Sequence, residues 1–301
     1  MIVGVPTEIK PDERRVGLTP SSVNELTNDG HEVIVQCGAG LGIGASDGDY
    51  EGAGAQIAAD PAEVFASAAM IVKVKEPQAV ERAMLTPEHL LFTYLHLAPD
   101  GQQADDLVAS GATCIAYETV TGPGGGLPLL APMSKVAGRM SIQAGAHHLE
   151  SRQGGAGLLL GGVAGVPSAK VVVIGGGVVG ENAIEMAVGL GADVTVLDRN
   201  TDVLDRLAKR FNTKLRTVYS TAATTWDFVT DADLVQDRLD AARLQAPAHA
   251  IDTLRPAAEM IRDMPFAGTS YLWPDAEGIT SNLVLLATGV AAELAGHALS
   301  L

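Results

Sequence analysis

The sequence has 301 residues, 47% of them hydrophobic and 19% charged, which excludes a disordered chain and predicts about two domains. With 36 acidic and 20 basic residues, its formal net charge is −16, and such a surface excludes binding to nucleic acid through the phosphate backbone. The two cysteines are too few for a disulfide framework, and no apolar run approaches the ~18 residues that would span a bilayer. We therefore expect a cytoplasmic protein that binds neither nucleic acid nor membrane.

The first part of the chain alternates short β-branched runs with helical patterns. Strands are predicted at residues 2–5, 32–36, 70–75, 90–95 and 113–117, and helices at residues 20–28, 61–68 and 102–110. This alternation predicts an α/β fold with a parallel sheet. A stretch rich in Gly and Pro at residues 122–128 indicates a loop and a domain boundary.

The second part begins with a long predicted helix at residues 133–150 and continues with a strong βαβ pattern. Strands are predicted at residues 170–174, 193–197 and 215–219, with helices after the first two of them. A strand is predicted to start near residue 230, followed by a charged helix at residues 236–245 and an apolar helix at residues 282–299. The pattern is therefore strongest between residues 170 and 219.

The βαβ pattern contains a dinucleotide-binding fingerprint, GGGVVG at residues 175–180, between an apolar strand and a helix. Gly175 permits the tight turn, Gly177 lets the backbone approach a pyrophosphate, and Gly180 lets the helix lie close to the strand. Asp198, 18 residues after the last glycine, would accept hydrogen bonds from the ribose hydroxyls and repel a 2′-phosphate. We therefore expect NAD as the cofactor. The neighbouring Arg199 would favour NADP, because an arginine can pair with a 2′-phosphate. The alternative is a Rossmann domain that binds no nucleotide.

Three basic side chains follow predicted strands of the first part, where ligands bind in α/β folds. Arg15 follows the first strand, Lys75 ends the strand of residues 70–75, and His96 follows the strand of residues 90–95. Together they could hold a small carboxylate and transfer protons near neutral pH. Taken singly, each has a plainer interpretation, as a surface ion pair, a solvated charge and a core histidine. The other histidines lack ligand spacing, so no metal site is predicted.

Several longer motifs are also present: VGVPTEIK at residues 3–10, RVGLTP at 15–20, VKEP at 74–77, FTYLHL at 92–97 and LPLLAPMS at 127–134. With these motifs and the Rossmann unit, the sequence resembles the alanine dehydrogenase family, which is related to the soluble domain of proton-translocating transhydrogenases. The resemblance covers roughly residues 1–220 without an obvious gap.

The resemblance implies NAD-dependent oxidation of L-alanine to pyruvate and ammonia, and the reverse reaction. It implies that Arg15, Lys75 and Tyr94 bind the substrate and that His96 and Lys75 are catalytic. The cofactor-binding residues that it implies, together with the fingerprint, are Met133, Ser134, Gly175, Gly177, Gly180, Asp198 and Ser220. Members of the family are commonly hexamers, so a homo-oligomer that acts on a small amino or keto acid is expected.

The resemblance also implies two Rossmann-like domains with a cleft between them. Residues 1–130 would form the substrate domain, with a helix at residues 281–301 returning to it. Residues 131–280 would form the NAD-binding domain, shortened after about residue 235.

After residue 220 the sequence departs from the family pattern. The resemblance implies a late active-site aspartate and an Asn-Met-Pro loop beside the nicotinamide, and neither is recognisable; Asp275 is the nearest substitute carboxylate. Three hypotheses follow: a dehydrogenase with a trimmed cofactor domain, a homologue recruited to another reaction on a small amino or keto acid, and a non-catalytic nucleotide-binding homologue. The presence of Arg15, Lys75 and His96 argues against the third hypothesis, and the two missing features argue against the first.

Overall fold

A computed structural model describes residues 1–237 and two further strands, Tyr271–Leu272 and Val284–Ala287. The chain divides between Leu130 and Ala131 into two compact units, each with its own six-stranded sheet. The predicted α/β architecture of two Rossmann-like domains with parallel sheets is confirmed. The functions predicted for residues 1–130 and 131–280 remain predictions.

The sheet of the first unit is parallel throughout. Its strands are β1 (Ile2–Val5), β2 (Glu32–Gln36), β3 (Gln56–Ala58), β4 (Met70–Val72), β5 (Leu90–Thr93) and β6 (Thr113–Ala116). They lie in the order β3-β2-β1-β4-β5-β6. The strand order reverses between β1 and β4, and the crevice at the carboxyl ends of such strands is where doubly wound sheets bind ligands.

Five helices connect these strands: α1 (Pro20–Asn28), α2 (Asp47–Gly52), α3 (Pro61–Ser67), α4 (Ala79–Arg82) and α5 (Gly101–Ser110). Local sequence explains where several of them begin. Thr19 caps α1 and Asp60 caps α3, in each case just before a proline that favours the first helical turn. The helices and strands enclose a core in which Val5, Val35 and Ile71 are fully buried.

The second unit contains α6 (Ala131–His148), β7 (Lys170–Ile174), α7 (Val178–Gly189), β8 (Asp193–Asp198), α8 (Thr201–Phe211), β9 (Leu215–Tyr219), α9 (Ala222–Thr230), β10 (Leu234–Asp237), β11 (Tyr271–Leu272) and β12 (Val284–Ala287). The strands lie in the order β11-β12-β10-β7-β8-β9, and only the β11–β12 pair of the described ladder is antiparallel. The strand order reverses between β7 and β10, so the loop after β7 lies at the switch point.

Helices α6 and α7 pack closely because a glycine lies at their contact. A Cβ atom on Gly138 would overlap the backbone carbonyl oxygen of Val179. Ile142, further along α6, and Leu149, just after its end, are fully buried in the core of this unit. The part of α6 around Gly138 is thereby held beside the amino-terminal end of α7.

Two predicted strands are shorter in the structure. The strand predicted at residues 70–75 ends at Val72, because the N–H groups of Val74 and Lys75 donate to the carboxylate of Glu8 instead of a neighbouring strand. The strand predicted at residues 90–95 ends at Thr93, because the N–H of Leu95 donates to the carboxylate of Glu118.

The prediction of an apolar helix at residues 282–299 is wrong for Val284–Ala287, which forms β12 beside β10. A short apolar run suits a buried strand as well as a helix, so periodicity could not separate the two. Residues 236 and 237, predicted as the start of a charged helix, belong to β10. The rest of both predicted helices, and Asp275, lie outside the described residues.

Candidate functional site

The loops that follow β1, β4 and β5 bring the predicted substrate residues to one edge of the first sheet. Arg15 interacts electrostatically with Tyr94 and with Lys75, and Lys75 interacts with His96. Lys75 and Tyr94 are buried, Arg15 is half-buried and His96 is exposed. Two cations, a phenol and an imidazole therefore lie near one another at the edge where the strand order reverses.

Arg15 is held by a carboxylate two residues away. Its Nε donates to Glu13 Oε1 at 2.8 Å and its Nη2 to Glu13 Oε2 at 2.5 Å, and its backbone N–H donates to Glu13 Oε1. This bidentate pair fixes the plane of the guanidinium. Burial opposes the charge of Arg15, but its hydrogen bond and charge pair with Glu13 outweigh that effect and raise its pKa.

The pKa of Glu13 shifts in the opposite direction from that of Arg15. Burial opposes ionisation, but its bonds and charge pairing with Arg15 outweigh that effect, and the pKa of Glu13 is lowered. The pair is thus a fixed, ionised anchor beside Lys75.

The backbone of Lys75 is held on both sides. Its N–H donates to Glu8 Oε2 at 3.4 Å, and its carbonyl accepts a hydrogen bond from Thr93 Oγ1 at 2.9 Å. Burial lowers the pKa of the Lys75 ammonium, and the nearby charges of Lys10 and Arg15 lower it further. An anionic substrate would offset these positive charges and favour the charged form of Lys75.

Glu8 itself belongs to a buried ion cluster behind Lys75. Lys73 Nζ lies 3.2 Å from Glu8 Oε2 and 2.7 Å from Glu81 Oε1, and the three side chains are at most 2% exposed. Desolvation raises the pKa of Glu8, although Lys73 and the N–H of Val74 oppose the rise. The cluster connects the loop after β1 to the segment that follows β4 and to α4, and so fixes that segment, which carries Lys75.

Tyr94 contributes its ring rather than an open hydroxyl. Its Oη donates to the carbonyl of Leu129 at 2.5 Å, and burial raises its pKa. The ring stacks against the imidazole of His96, with centroids 5.8 Å apart and planes at 12°. The ring of Tyr94 therefore supports the imidazole of His96. The predicted role of Tyr94 in substrate binding remains a prediction.

His96 has an unusual backbone, with φ at +48°. Its N–H donates to Glu118 Oε1 at 2.7 Å. Loss of solvent around the ring lowers the pKa of His96, the Glu118 carboxylate opposes this change, and Lys75 adds to it. The lowered pKa favours the neutral imidazole, which can accept a proton and return it.

The fingerprint loop of the second unit follows β7. Gly175 has φ at +92°, which requires glycine, and a Cβ atom on Gly180 would overlap the carbonyl oxygen of Gly175. A Cβ atom on Gly177 would instead meet nothing within 4 Å, and Gly177 begins α7 without a side-chain cap. Open space thus adjoins an uncapped helix N-terminus, as a pyrophosphate requires. These residues fit a dinucleotide.

Asp198 lies at the end of β8 and contacts this loop. Its Oδ2 accepts a hydrogen bond from the N–H of Gly176 at 2.6 Å, and its Oδ1 accepts one from the N–H of Asn200 at 2.8 Å. The backbone of Ser220, just after β9, donates to the carbonyl of Asp198. Three strand ends therefore bring Gly176, Asp198 and Ser220 together at one edge of the second sheet.

Met133 and Ser134 lie in the first turn of α6 and are half-buried. Ser134 is one helical turn before Gly138, where α6 touches α7. The two residues are therefore near the end of α7 that carries the fingerprint loop. Their roles toward a cofactor remain predictions, as do those of the other site residues.

Sequence patterns did not predict the carboxylates that hold these residues, Glu8, Glu13 and Glu118. One signal was available, because Lys73 lies within an apolar run and a buried lysine needs carboxylate partners. Within the described residues, no group of three or more His, Cys, Asp or Glu side chains could hold a metal ion. No helix in the same part of the chain is long and apolar enough to cross a membrane.

Comparison with known families identifies two matching profiles. The one described as "Alanine dehydrogenase/PNT, N-terminal domain" matches residues 4–137, and the one described as "Alanine dehydrogenase/PNT, C-terminal domain" matches residues 141–247. One or the other matches part of each unit.

Two curated relatives are similar over 235 residues, which is 78% of this chain. The alanine dehydrogenase of Halomonas elongata is 58% identical and that of Bacillus subtilis is 52% identical. The chain spans 63% and 62% of the length of these relatives.

Two solved structures are also similar. An L-alanine dehydrogenase aligns with a TM-score of 0.75 at 39% identity, covering 99% of this chain and 87% of that one. A transhydrogenase from Sinorhizobium meliloti aligns with a TM-score of 0.73 at 24% identity, covering 100% of this chain and 90% of that one. The second likeness concerns the fold alone.

Proposed function

Because the chain belongs to the alanine dehydrogenase/PNT family, we propose that it is an NAD-dependent oxidoreductase that interconverts L-alanine with pyruvate and ammonia. The observation that carries the proposal is the meeting of Arg15, Lys75 and His96 at the switch point of the first sheet. A keto acid needs a cation for its carboxylate, a donor for its carbonyl and a proton-transfer group, and these three side chains supply them.

Arg15 and Lys75 bind the substrate in this proposal. The guanidinium, fixed by Glu13, pairs with the substrate carboxylate. Lys75 donates a hydrogen bond to the carbonyl or imine and stabilises negative charge on that atom as the bond is reduced. Glu8 and Thr93 hold the Lys75 backbone, so the ammonium is positioned before the substrate arrives.

His96 transfers the proton. The lowered pKa of His96 favours the neutral imidazole, which accepts a proton from the ammonia that adds to the carbonyl carbon of pyruvate and returns a proton to the hydroxyl group that leaves as water. In the reverse reaction, it accepts a proton from the water that adds to the imine carbon. The stacked ring of Tyr94 keeps the imidazole in one orientation. A positioned acid or base of this kind contributes about 10²–10⁴-fold to rate.

The second unit binds the nicotinamide cofactor, which supplies or accepts the hydride. The loop of Gly175, Gly177 and Gly180 and the N-terminus of α7 hold the pyrophosphate, and Ser220 lies beside the adenosine half. Asp198 binds the ribose hydroxyls and repels a 2′-phosphate, which favours NAD. Met133 and Ser134 contact the cofactor from α6.

The names of the similar curated relatives support this first hypothesis over recruitment to another reaction and over a non-catalytic role. A hexameric or other homo-oligomeric state and a cytoplasmic location remain predictions.

The test is a set of initial rates of NADH oxidation with ammonium and a panel of small keto acids. Pyruvate should give the highest kcat/KM of the panel, and omission of ammonium should abolish the rate. A higher kcat/KM with another keto acid would favour the recruited homologue. The absence of any rate across the panel would favour the non-catalytic one.

A further inference from the structure

The peptide bond between Leu95 and His96 is held at both of its polar atoms. The carbonyl oxygen of Leu95 accepts a hydrogen bond from Gln103 Nε2 at 2.5 Å, and the N–H of His96 donates to Glu118 Oε1 at 2.7 Å. Gln103 is 1% exposed, and Glu118 is half-buried just after β6. The backbone that carries the imidazole is therefore fixed from two neighbouring elements.

This restraint acts where the backbone is strained. His96 has φ at +48°, a region that residues other than glycine seldom occupy and that costs about 1–3 kcal/mol unless the surroundings hold it. Strand β5 has already ended at Thr93, so no strand ladder holds this segment. Glu118 replaces the ladder, because its carboxylate also accepts the N–H of Leu95 at 3.0 Å.

The acceptor is a carboxylate, which adds a negative charge beside the imidazole. The charged groups that act on His96 are Glu118 and Glu76, which favour the imidazolium, and Lys75 and Lys10, which disfavour it. Glu118 has the largest effect of these four. A backbone carbonyl in its place would give the same hydrogen bonds without this charge.

We propose that Glu118 is the positioning residue for His96. Its carboxylate holds the strained Leu95–His96 segment through two backbone hydrogen bonds and supplies the negative charge that stabilises the imidazolium formed during proton transfer. Glu118 acts through His96 and touches no reacting atom. The inference rests on the proposed function for its kinetic consequence. Its electrostatic consequence is independent of turnover.

Two variants separate the effect of the Glu118 hydrogen bonds from the effect of its charge. Glu118→Gln keeps an oxygen that can accept both N–H groups but removes the charge. Glu118→Ala removes both and leaves the donors of Leu95 and His96 without the carboxylate. Glu63→Gln is the matched control, because the exposed Glu63 carboxylate also accepts a backbone N–H, that of Ala59, outside this cluster.

The first measurement is the titration of His96 by NMR, with its signal assigned as the one that His96→Ala removes. In Glu118→Gln the pKa of His96 should fall, because the neutral amide no longer favours the imidazolium, while Glu63→Gln should leave it unchanged. The limb of the kcat/KM profile that belongs to His96 should move to lower pH in the same variant.

The second measurement is steady-state kinetics with pyruvate, ammonium and NADH. Glu118→Ala should lower kcat on the order of 10²-fold, because a displacement of about 1 Å at a reacting group has that cost, with NADH affinity unchanged. Glu118→Gln should retain most of the kcat that Glu118→Ala loses, because its amide oxygen can still accept both hydrogen bonds. A purely structural role would lower the yield of folded protein and spare the kcat of the folded fraction.

An unshifted His96 titration in Glu118→Gln overturns the proposal, and so does a kcat in folded Glu118→Ala within about threefold of the unmodified chain. If the unmodified chain shows no turnover, the proposed function fails, and the titration then decides on Glu118. If Glu118→Ala does not fold, Glu118→Gln decides by the same titration.

Discussion

Asp198 Oδ2 lies 2.6 Å from the backbone nitrogen of Gly176, so the predicted ribose-binding carboxylate is tied directly to the glycine-rich loop. The hydrogen bond links the carboxyl ends of β7 and β8. Because each carboxylate oxygen has two lone pairs and one is used here, Asp198 can still accept hydrogen bonds from ribose hydroxyls. Loop geometry and nucleotide selectivity thus depend on one side chain.

The first prediction concerns nucleotide selectivity. NADH should bind clearly more tightly than NADPH. Asp198→Asn should reduce the ratio of the two affinities by about tenfold, because it keeps an acceptor for Gly176 but loses the charge that repels a 2′-phosphate. Calorimetric titration with both nucleotides measures this ratio. Asp193→Asn, at the opposite end of β8, is the control and should leave it unchanged. Equal affinities in the unmodified chain would refute the assignment of NAD.

The second prediction uses the open space at Gly177. Gly177→Ala should fold normally, because the new methyl group meets no atom of the chain, but it should weaken NADH binding by at least about tenfold by occupying the place of the pyrophosphate. Fluorescence titration with NADH measures the loss. Gly189→Ala, at the other end of α7, also adds a methyl group in open space and should change neither property. Unchanged NADH affinity in Gly177→Ala would show that the pyrophosphate lies elsewhere.

The third prediction concerns proton transfer. His96→Ala should lose about 10²–10⁴-fold in kcat and keep its NADH affinity, because the side chain transfers the proton and belongs to the unit that does not carry the fingerprint. Stopped-flow and steady-state rates measure the loss. His31→Ala is the control, since His31 contacts the chain's amino terminus. Turnover within about threefold of the unmodified chain would make His96 a structural histidine.

The fourth prediction concerns the buried ion cluster. Lys73→Met leaves the Glu8 and Glu81 carboxylates buried without their cation, which should lower the free energy of unfolding by about 3–5 kcal/mol at neutral pH. Denaturant unfolding measures the change. Lys209→Met removes the cation of an exposed pair with Asp205 and should have little effect.

The loss in Lys73→Met should shrink as the pH falls. The pKa of Glu8 is raised above its ordinary value of 4.5, so the folded state holds the Glu8 proton at pH values where the unfolded state has released it. Its contribution to stability is therefore present below pH 4.5 and is lost as the pH rises through the folded pKa. Removing Lys73 raises that pKa further. A loss independent of pH would contradict the buried-charge account.

The sequence predicted the fold well where patterns are long and local. The helix Pro20–Asn28 and the strand Lys170–Ile174 match their predicted bounds, because a cap with a proline and a β-branched run determine them locally. The short strand Gln56–Ala58 was missed, since three residues carry too little periodicity. At Val284–Ala287 the apolar run suited two structures, and pairing with β10 decided between them.

The candidate site was predictable in its cations but not in their supports. Strand-end positions in the sequence pointed to Arg15, Lys75 and His96. The supports of Lys75 and His96 come from residues distant in sequence, since Glu8 precedes Lys75 by 67 residues and Glu118 follows His96 by 22. Only the folded sheet brings those segments together, so no local pattern marks them.

The identity of the product tests the proposed function most directly. The chain is incubated with pyruvate, [¹⁵N]ammonium and NADH, and the products are examined by NMR. [¹⁵N]L-alanine should form in amounts equal to the NADH consumed, and His96→Ala should form almost none at equal protein and time. NADH consumption without labelled alanine, or no consumption at all, would contradict it.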